Sequence, residues 1–235
     1  GVSFSPDGER LAYYDDGDYK MYEIAAGTMR TLTTGVAATF WDDEDDHNTI
    51  KPPAAPPVGW SKDGSALLVR DNWDIWKLPL KGAAQNITGN GKKDRIRYQA
   101  RVGVPFRERG IDLTKPMFVE TYGEWTKQEG LARVDGAKGG ATSVAWEDAK
   151  VDYRKARDAD AWFFTRQSVV KFPDWYATDA GLAGERRLTD ANPQQKDVAW
   201  SSGSRLITYV CDHGDTVQAA LYLPANYEAG KKYPT

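Results

Sequence analysis

The sequence predicts an all-β protein, a partial β-propeller of about four four-stranded antiparallel blades. The first observation behind this reading is a repeated turn. Ser3-Phe4-Ser5-Pro6-Asp7-Gly8, Gly59-Trp60-Ser61-Lys62-Asp63-Gly64 and a worn Ala199-Trp200-Ser201-Ser202-Gly203 each set an aromatic before a Ser/Asp/Gly turn. In the first two an apolar run follows, Leu11-Ala12-Tyr13-Tyr14 and Ala66-Leu67-Leu68-Val69. The second observation is spacing. Alternating segments anchored on Tyr22, Trp76, Ala132 and Tyr176 recur at intervals of 54, 56 and 44 residues. An apolar-Thr pair, Leu32-Thr33, Ile87-Thr88 and Leu188-Thr189, recurs at 55 and then 101 residues. Repetition on this scale is the mark of a propeller or an array. The third observation is the lack of any convincing amphipathic helical stretch before residue 190.

Each element follows from that unit. Blade one is expected over residues 1–35, with strands near 3–5, 10–14, 19–24 and 29–33. Asp-Gly pairs at 7–8, 16–17 and 63–64 supply the positive φ angles that tight hairpins require. Blade two, 36–90, carries an insertion containing Trp41-Asp42-Asp43-Glu44-Asp45-Asp46-His47 and Pro52-Pro53-Ala54-Ala55-Pro56-Pro57. Prolines 52, 53, 56 and 57 remove ladder donors and adjacent carboxylates repel, so this stretch should loop out and gain order only from a further domain. Blade three is expected near 96–140 and blade four near 141–191. In/out alternation half-buries each strand, and blades stacked face to face bury the rest. Four blades do not usually close a ring, and the chain opens inside a repeat. A piece of a longer propeller is the expectation.

Bulk properties narrow the function classes. The chain has 235 residues, 40% of them apolar, with nine Trp and twelve Tyr, which is ample core material. Nothing approaches the roughly 18–20 apolar residues of a membrane span, and no signal peptide is visible. A net charge of −3 argues against a nucleic-acid partner. The one basic stretch, Lys92-Lys93-Asp94-Arg95-Ile96-Arg97, reads as a solvated inter-strand loop. The single Cys211 excludes an intrachain disulfide and a cysteine-based zinc site, reads as a half-buried strand residue, and leaves the compartment open.

Several residues invite a functional reading. The acidic run Asp42 to His47 has the oxygen donors of a hard-cation site but lacks the spaced ligands and central glycine of a dedicated loop. A solvated insertion is the plainer reading, and no metal or cofactor is assigned. Asp212-His213-Gly214-Asp215 mimics a catalytic fragment but has ordinary turn chemistry. Trp60, Trp73, Trp76, Trp146, Trp162 and Trp175 suit either inter-blade packing or an aromatic platform for a ligand, and their alternating strand positions favour packing. No catalytic residue is assigned, and no substrate-binding residue is identified.

After Asn192-Pro193 the pattern changes. Two strands, Arg205 to Cys211 and Val217 to Leu223, flank the turn at 212–215, and Pro224-Ala225-Asn226-Tyr227 and Gly230-Lys231-Lys232-Tyr233-Pro234 follow before Thr235. The stretch Thr216 to Tyr227 with Gly230 to Pro234 resembles the start of the α/β-hydrolase domain in the prolyl oligopeptidase family of serine peptidases. The Ser-Pro-Asp-Gly hairpins resemble the propeller repeats of its dipeptidyl and acylaminoacyl peptidase branches. Leu188-Thr189-Asp190-Ala191-Asn192-Pro193-Gln194 is similar to their blade-to-hydrolase junction.

The resemblance implies a propeller part over 1–197 and, over 198–235, a junction with the first hydrolase strands, entered through a C-terminal β-hairpin. It implies a parent that cleaves short peptides by a Ser nucleophile with His as general base. No Gly-x-Ser-x-Gly elbow is present, and the only histidines are His47 and His213. The segment is therefore expected to gate access of short peptides, partnered by a hydrolase domain and by N-terminal blades of the same parent. The dipeptidyl branch holds a peptide's amino terminus with propeller glutamates, but no motif here carries that role over. The rival reading is a non-enzymatic WD-like propeller scaffold that binds proteins on its face.

Overall fold

The computed structural model describes residues 1–48, 50–105 and 107–234. Thr49 of the insertion and Thr235 of the tail lie outside the described residues. Strands take 46% of the chain and helix 4%, which makes the fold all-β. Among the described residues the one α-helix is a single turn, α1 (Gly91–Asp94).

Among the described residues four meandering sheets hold sixteen strands, and a final pair forms a fifth sheet. Blade one is β1 (Val2–Phe4), β2 (Arg10–Asp15), β3 (Asp18–Glu23) and β4 (Thr28–Thr31). Blade two is β5 (Gly59–Trp60), β6 (Ala66–Arg70), β7 (Ile75–Pro79) and β8 (Gln85–Asn86). Blade three is β9 (Ile96–Val102), β10 (Pro116–Gly123), β11 (Glu129–Asp135) and β12 (Ala141–Glu147). Blade four is β13 (Lys150–Lys155), β14 (Ala161–Ser168), β15 (Lys171–Asp179) and β16 (Arg186–Arg187). The hairpin β17 (Gly203–Val210) and β18 (Thr216–Leu223) forms a sheet of its own. The sequence anchors Tyr22, Trp76, Ala132 and Tyr176 all fall in third strands. Two compact units result: residues 1–147 with 154–159, and residues 148–153 with 160–235.

One blade boundary moves. Residues 141–147 were expected to open blade four, yet they pair with β11 as the last strand of blade three. The cause is the long connection at 103–115, which delays β10 and pushes every later strand of that blade along the chain. That connection also works on blade two: Ile111 donates to the Trp60 carbonyl at 2.7 Å and accepts from Lys62 N–H at 2.8 Å.

The recurring turn has a physical explanation. Ser5 Oγ donates to Asp7 Oδ1 at 2.5 Å and accepts from Arg10 N–H at 3.0 Å, while Asp7 Oδ1 also accepts from Glu9 N–H at 3.0 Å. Blade two repeats it atom for atom, with Ser61 to Asp63 at 2.6 Å, Ala66 N–H to Ser61 at 2.9 Å and Ser65 N–H to Asp63 at 3.0 Å. The third copy departs. It lacks the aspartate, so Ser201 Oγ donates instead to the Leu223 carbonyl at 2.7 Å and the segment leads into β17.

The apolar-Thr pairs mark a second device. Thr33, Thr88 and Thr189 each donate a hydroxyl to an aspartate of the third strand or just before it: Asp18, which opens β3, at 2.6 Å, Asp74, which precedes β7, at 2.6 Å, and Asp174, inside β15, at 2.8 Å. Each hydroxyl also accepts the next backbone N–H, from Tyr19 at 3.2 Å, Ile75 at 3.0 Å and Trp175 at 2.9 Å. The bond pair ties the exit of the fourth strand back to the third, and these hydrogen bonds offset the cost of taking the groups out of water. Among the described residues blade three has no such Asp–Thr pair, and the sequence interval doubles there.

Packing within the first unit explains strand composition. Leu67 and Val69 face blade one, joining Ala12, Tyr19, Met21, Phe40 and Trp60. Leu68 faces blade three, joining Ile87, Tyr98, Val119, Ala132 and Val134. β6 is therefore apolar at every position from 66 to 69, because both of its faces are covered. β2, covered on one face, keeps only Ala12 buried.

Candidate functional site

In an antiparallel blade, the turn after the second strand and the connection leaving the fourth strand lie at one end of the sheet. In the first unit that end carries the insertion, the β6–β7 turn at 71–74, the loop at 87–95 and the β10–β11 turn at 124–128. Arg97, near the start of β9, ties them together. Its Nε donates to Glu124 Oε2 at 2.6 Å, its Nη2 to Glu44 Oε2 at 2.6 Å, and its Nη1 to the Asn72 carbonyl at 3.3 Å. Its guanidinium also lies 4.3 Å from the centroid of the Trp73 ring. Burial works against the charge of Arg97, but the two carboxylates outweigh it and raise its pKa further. Burial likewise opposes the ionised Glu124, yet Arg97 and Lys127 hold its carboxyl below the usual range.

The insertion is anchored rather than held in reserve for a further domain. Asp42 N–H donates to the Pro52 carbonyl at 2.8 Å and Ala54 N–H to the Phe40 carbonyl at 3.1 Å, a short ladder in which Pro52, without an N–H of its own, still serves as an acceptor. Tyr14 and Tyr19 donate hydroxyls to the carbonyls of Lys51 at 2.7 Å and Ala55 at 3.0 Å, and Phe40 is buried. At its tip Asn72 Nδ2 donates to Asp42 Oδ1 at 3.0 Å and Asp43 Oδ1 at 2.7 Å.

The other residues singled out in the sequence separate cleanly. Asp45, Asp46 and His47 bring one ligand atom each within 4.8 Å of one another. His47 is 80% exposed and rests 2.5 Å from Asp45 Oδ1, so the trio is an open surface cluster with too few donors to enclose a hard cation. His213 lies in the β17–β18 turn, where Cys211 N–H bonds the Asp215 carbonyl at 2.9 Å, an ordinary hairpin closure. Cys211 is half-buried. Trp60 and Trp162 are core residues, donating to the carbonyls of Ser3 at 3.3 Å and Ala180 at 3.2 Å. Trp76 and Trp146 donate to Asp71 at 2.8 Å and Gln128 at 2.6 Å, and Trp175 is half-buried in β15. Trp73 differs: it is the platform under Arg97. Of the basic stretch, Lys92 and Lys93 are exposed on α1, whereas Arg97 is committed to the rim. Sequence reasoning missed Arg97, because its partners lie 53 and 27 residues away.

In the second unit, the segment between blade four and the hairpin rests on the β14–β15 turn. Gln195 Nε2 donates to the Val170 carbonyl at 3.0 Å and Trp200 Nε1 to the Val169 carbonyl at 2.6 Å. Beyond it the hairpin shows apolar residues on both faces. Leu206, Val210 and Tyr222 lie on one and Ile207, Tyr209 and Leu221 on the other, all exposed. A two-stranded ribbon bare on both sides is not self-sufficient.

No protein-family model matches the chain, and no curated protein matches it. Solved structures do. A candidate dipeptidyl aminopeptidase IV from Bacteroides ovatus aligns over 100% of this chain and 35% of its own, at a TM-score of 0.66 and 13% identity. A puromycin hydrolase aligns over 94% of this chain and 33% of its own, at 0.54 and 15% identity. An oligogalacturonate lyase from Vibrio parahaemolyticus aligns over 94% and 58%, at 0.50 and 13% identity. The chain thus spans between about one third and three fifths of the length of these proteins. Prolyl oligopeptidase-family peptidases are among its structural neighbours, and the shared feature is the propeller fold. The lyase in the same company means that this fold serves more than one chemistry.

Proposed function

We propose that this chain is the non-catalytic propeller segment, with the first hydrolase strands, of a serine peptidase of the prolyl oligopeptidase family. The observation that carries the reading is the β17–β18 hairpin, which leaves blade four and exposes apolar side chains on both faces. Such a ribbon needs a neighbouring layer, and the α/β-hydrolase sheet that the sequence resembles at 216–234 is that layer. A scaffold propeller has no use for a bare hairpin after its last blade, so the scaffold reading is the weaker one. The alignment over the whole chain with a peptidase-like structure supports the same conclusion.

In this reading the boundary falls between 197 and 198, and short peptides reach a Ser-His-Asp site supplied by the hydrolase domain. The insertion, tied down by Arg97, filters peptides by size. The full-length protein should hydrolyse chromogenic dipeptides and be silenced by a serine-directed inhibitor. Shortening 43–50, while keeping the ladder at 40–42 and 52–54, should change KM between short and long peptides with little change in kcat. Unchanged kinetics across peptide lengths would remove the gating role. An apolar strand followed by a Gly-rich loop beyond residue 235 would support the hydrolase assignment, and another Ser-Pro-Asp-Gly hairpin there would refute it.

A further inference from the structure

Asn90-Gly91 is the one Asn-Gly pair in the chain, and it opens α1 in the loop that follows blade two. Such a pair carries its own reaction. The Gly91 nitrogen gives up its proton and bonds to Asn90 Cγ, the Cγ–Nδ2 bond breaks, and the amide nitrogen leaves with that proton as ammonia. Water then opens the succinimide at either carbonyl and leaves aspartate or isoaspartate. Glycine favours the step because it has no Cβ to crowd its nitrogen or restrict its backbone. Here the fold also forbids any other residue at 91. A Cβ there would lie 2.7 Å from the carbonyl oxygens of Trp73 and Ile96 and 2.8 Å from Asp74 Oδ1.

The native loop opposes ring closure from both sides of the bond to be made. Asn90 has a ψ of 1°, so the Gly91 nitrogen eclipses Asn90's own nitrogen, whereas closure requires it to eclipse Cβ. Rotation is resisted by the Gly91 N–H, which donates to Asp74 Oδ1 at 2.9 Å, and by the cradle around this buried glycine. The side chain is pinned as well: Asn90 Nδ2 donates to Asp94 Oδ2 at 2.5 Å, and Oδ1 accepts from the Tyr98 hydroxyl at 3.0 Å. We propose that Asn90-Gly91 is a self-modification site latched by the native loop, which cyclises when residues 87–95 open and then prevents their closing again. Aspartate at 90 sets a carboxylate against Asp94 where an amide had donated. Isoaspartate reroutes the chain through Cβ, drawing Gly91 off Asp74 and out of its cradle. The same segment carries the Arg95 carbonyl, which accepts from Glu124 N–H at 2.9 Å, and Arg97, which holds Glu44 of the insertion. Modification therefore loosens the insertion too. The inference rests on the loop and does not depend on the peptidase reading.

Peptide mapping by mass spectrometry tests it on the full-length protein, held at mildly alkaline pH in native buffer and, in parallel, in urea. Asn90 should convert to aspartate and isoaspartate in urea, and at least about tenfold more slowly in the native state, where reaction waits on opening of the loop. D74A, which frees the Gly91 N–H, and Y98F/D94A, which frees the Asn90 side chain, should each raise the native rate about tenfold and leave the urea rate unchanged. Circular dichroism and the melting temperature show that each variant is folded, and Y98F/D94A carries the test if D74A is not. The modified protein, separated by its added charge, should exchange amide hydrogens faster than the unmodified protein at 87–95 and 41–48, and refolding from urea should not restore it. No conversion in urea, equal native and urea rates, native rates unmoved in a folded variant, or unaltered exchange at 87–95 after modification would each overturn the proposal.

Discussion

At the residue scale, stability rests on side chains that close backbone ends. Thr88 is buried, donates to Asp74 and accepts from Ile75 N–H. Thr88→Val keeps the shape but strands the Ile75 N–H and leaves Asp74 Oδ1 with the Gly91 N–H alone, and chemical denaturation should read a loss of about 1–3 kcal/mol. Gly130 is demanded for a different reason: a Cβ there would lie 2.3 Å from the Ala145 carbonyl and 2.6 Å from the Trp146 ring. Gly130→Ala should cost about 3 kcal/mol, from overpacking against backbone that cannot retreat. The carboxylates predict an acid limb. Glu124 is held below its usual range despite partial burial, by Arg97, and Asp174 is held low against burial by the Ala191 N–H, Thr189 and Arg187. A depressed folded pKa contributes stability above the ordinary carboxylate range and loses it as pH falls through the folded value. Denaturation midpoints should therefore fall on acidification, and E124Q should make that fall shallower. An unchanged slope would mean Glu124 is not coupled to folding.

At the element scale, Arg97 fixes the insertion to two blades. R97A should raise hydrogen exchange and proteolytic cutting at 41–48, with a stability loss of only about 1–2 kcal/mol because the ion pairs are partly solvated. Unaltered exchange there would show that the ladder at 40–42 and 52–54 holds the insertion alone. The strands themselves were legible in the sequence. Tyr22, Trp76, Ala132 and Tyr176 were found at third-strand spacing because in/out alternation is a local signal. The blade three boundary was not legible, since Ala141 to Glu147 looks the same as a first or a fourth strand and only its pairing with β11 decides. The rim was hidden for a related reason. Glu44, Asn72, Arg97 and Glu124 meet only after blades two and three have stacked and the insertion has folded against them, whereas the acidic run at 42–47 advertised itself locally and proved to be partly spent on structure.

At the scale of the whole molecule, four propeller blades are followed by a hairpin whose apolar side chains are exposed on both faces. The propeller side is settled by the sheets themselves and by the match to structures that share them. The hairpin side makes the sharper claim, because Leu206, Ile207, Tyr209, Val210, Leu221 and Tyr222 should all be buried once a hydrolase sheet continues from β18. Amide exchange across 203–223 should be fast in residues 1–235 alone and strongly slowed in the full-length protein, and equal rates would leave the hairpin without a domain to join. The most direct measurement is labelling with a fluorophosphonate probe, run in parallel on the full-length protein and on residues 1–235. The account predicts one labelled serine in the full-length protein, placed beyond residue 235, loss of dipeptide hydrolysis on labelling, and no labelling of the shorter chain. Labelling within residues 1–235, or a full-length protein that neither takes the probe nor cleaves peptides, would contradict it.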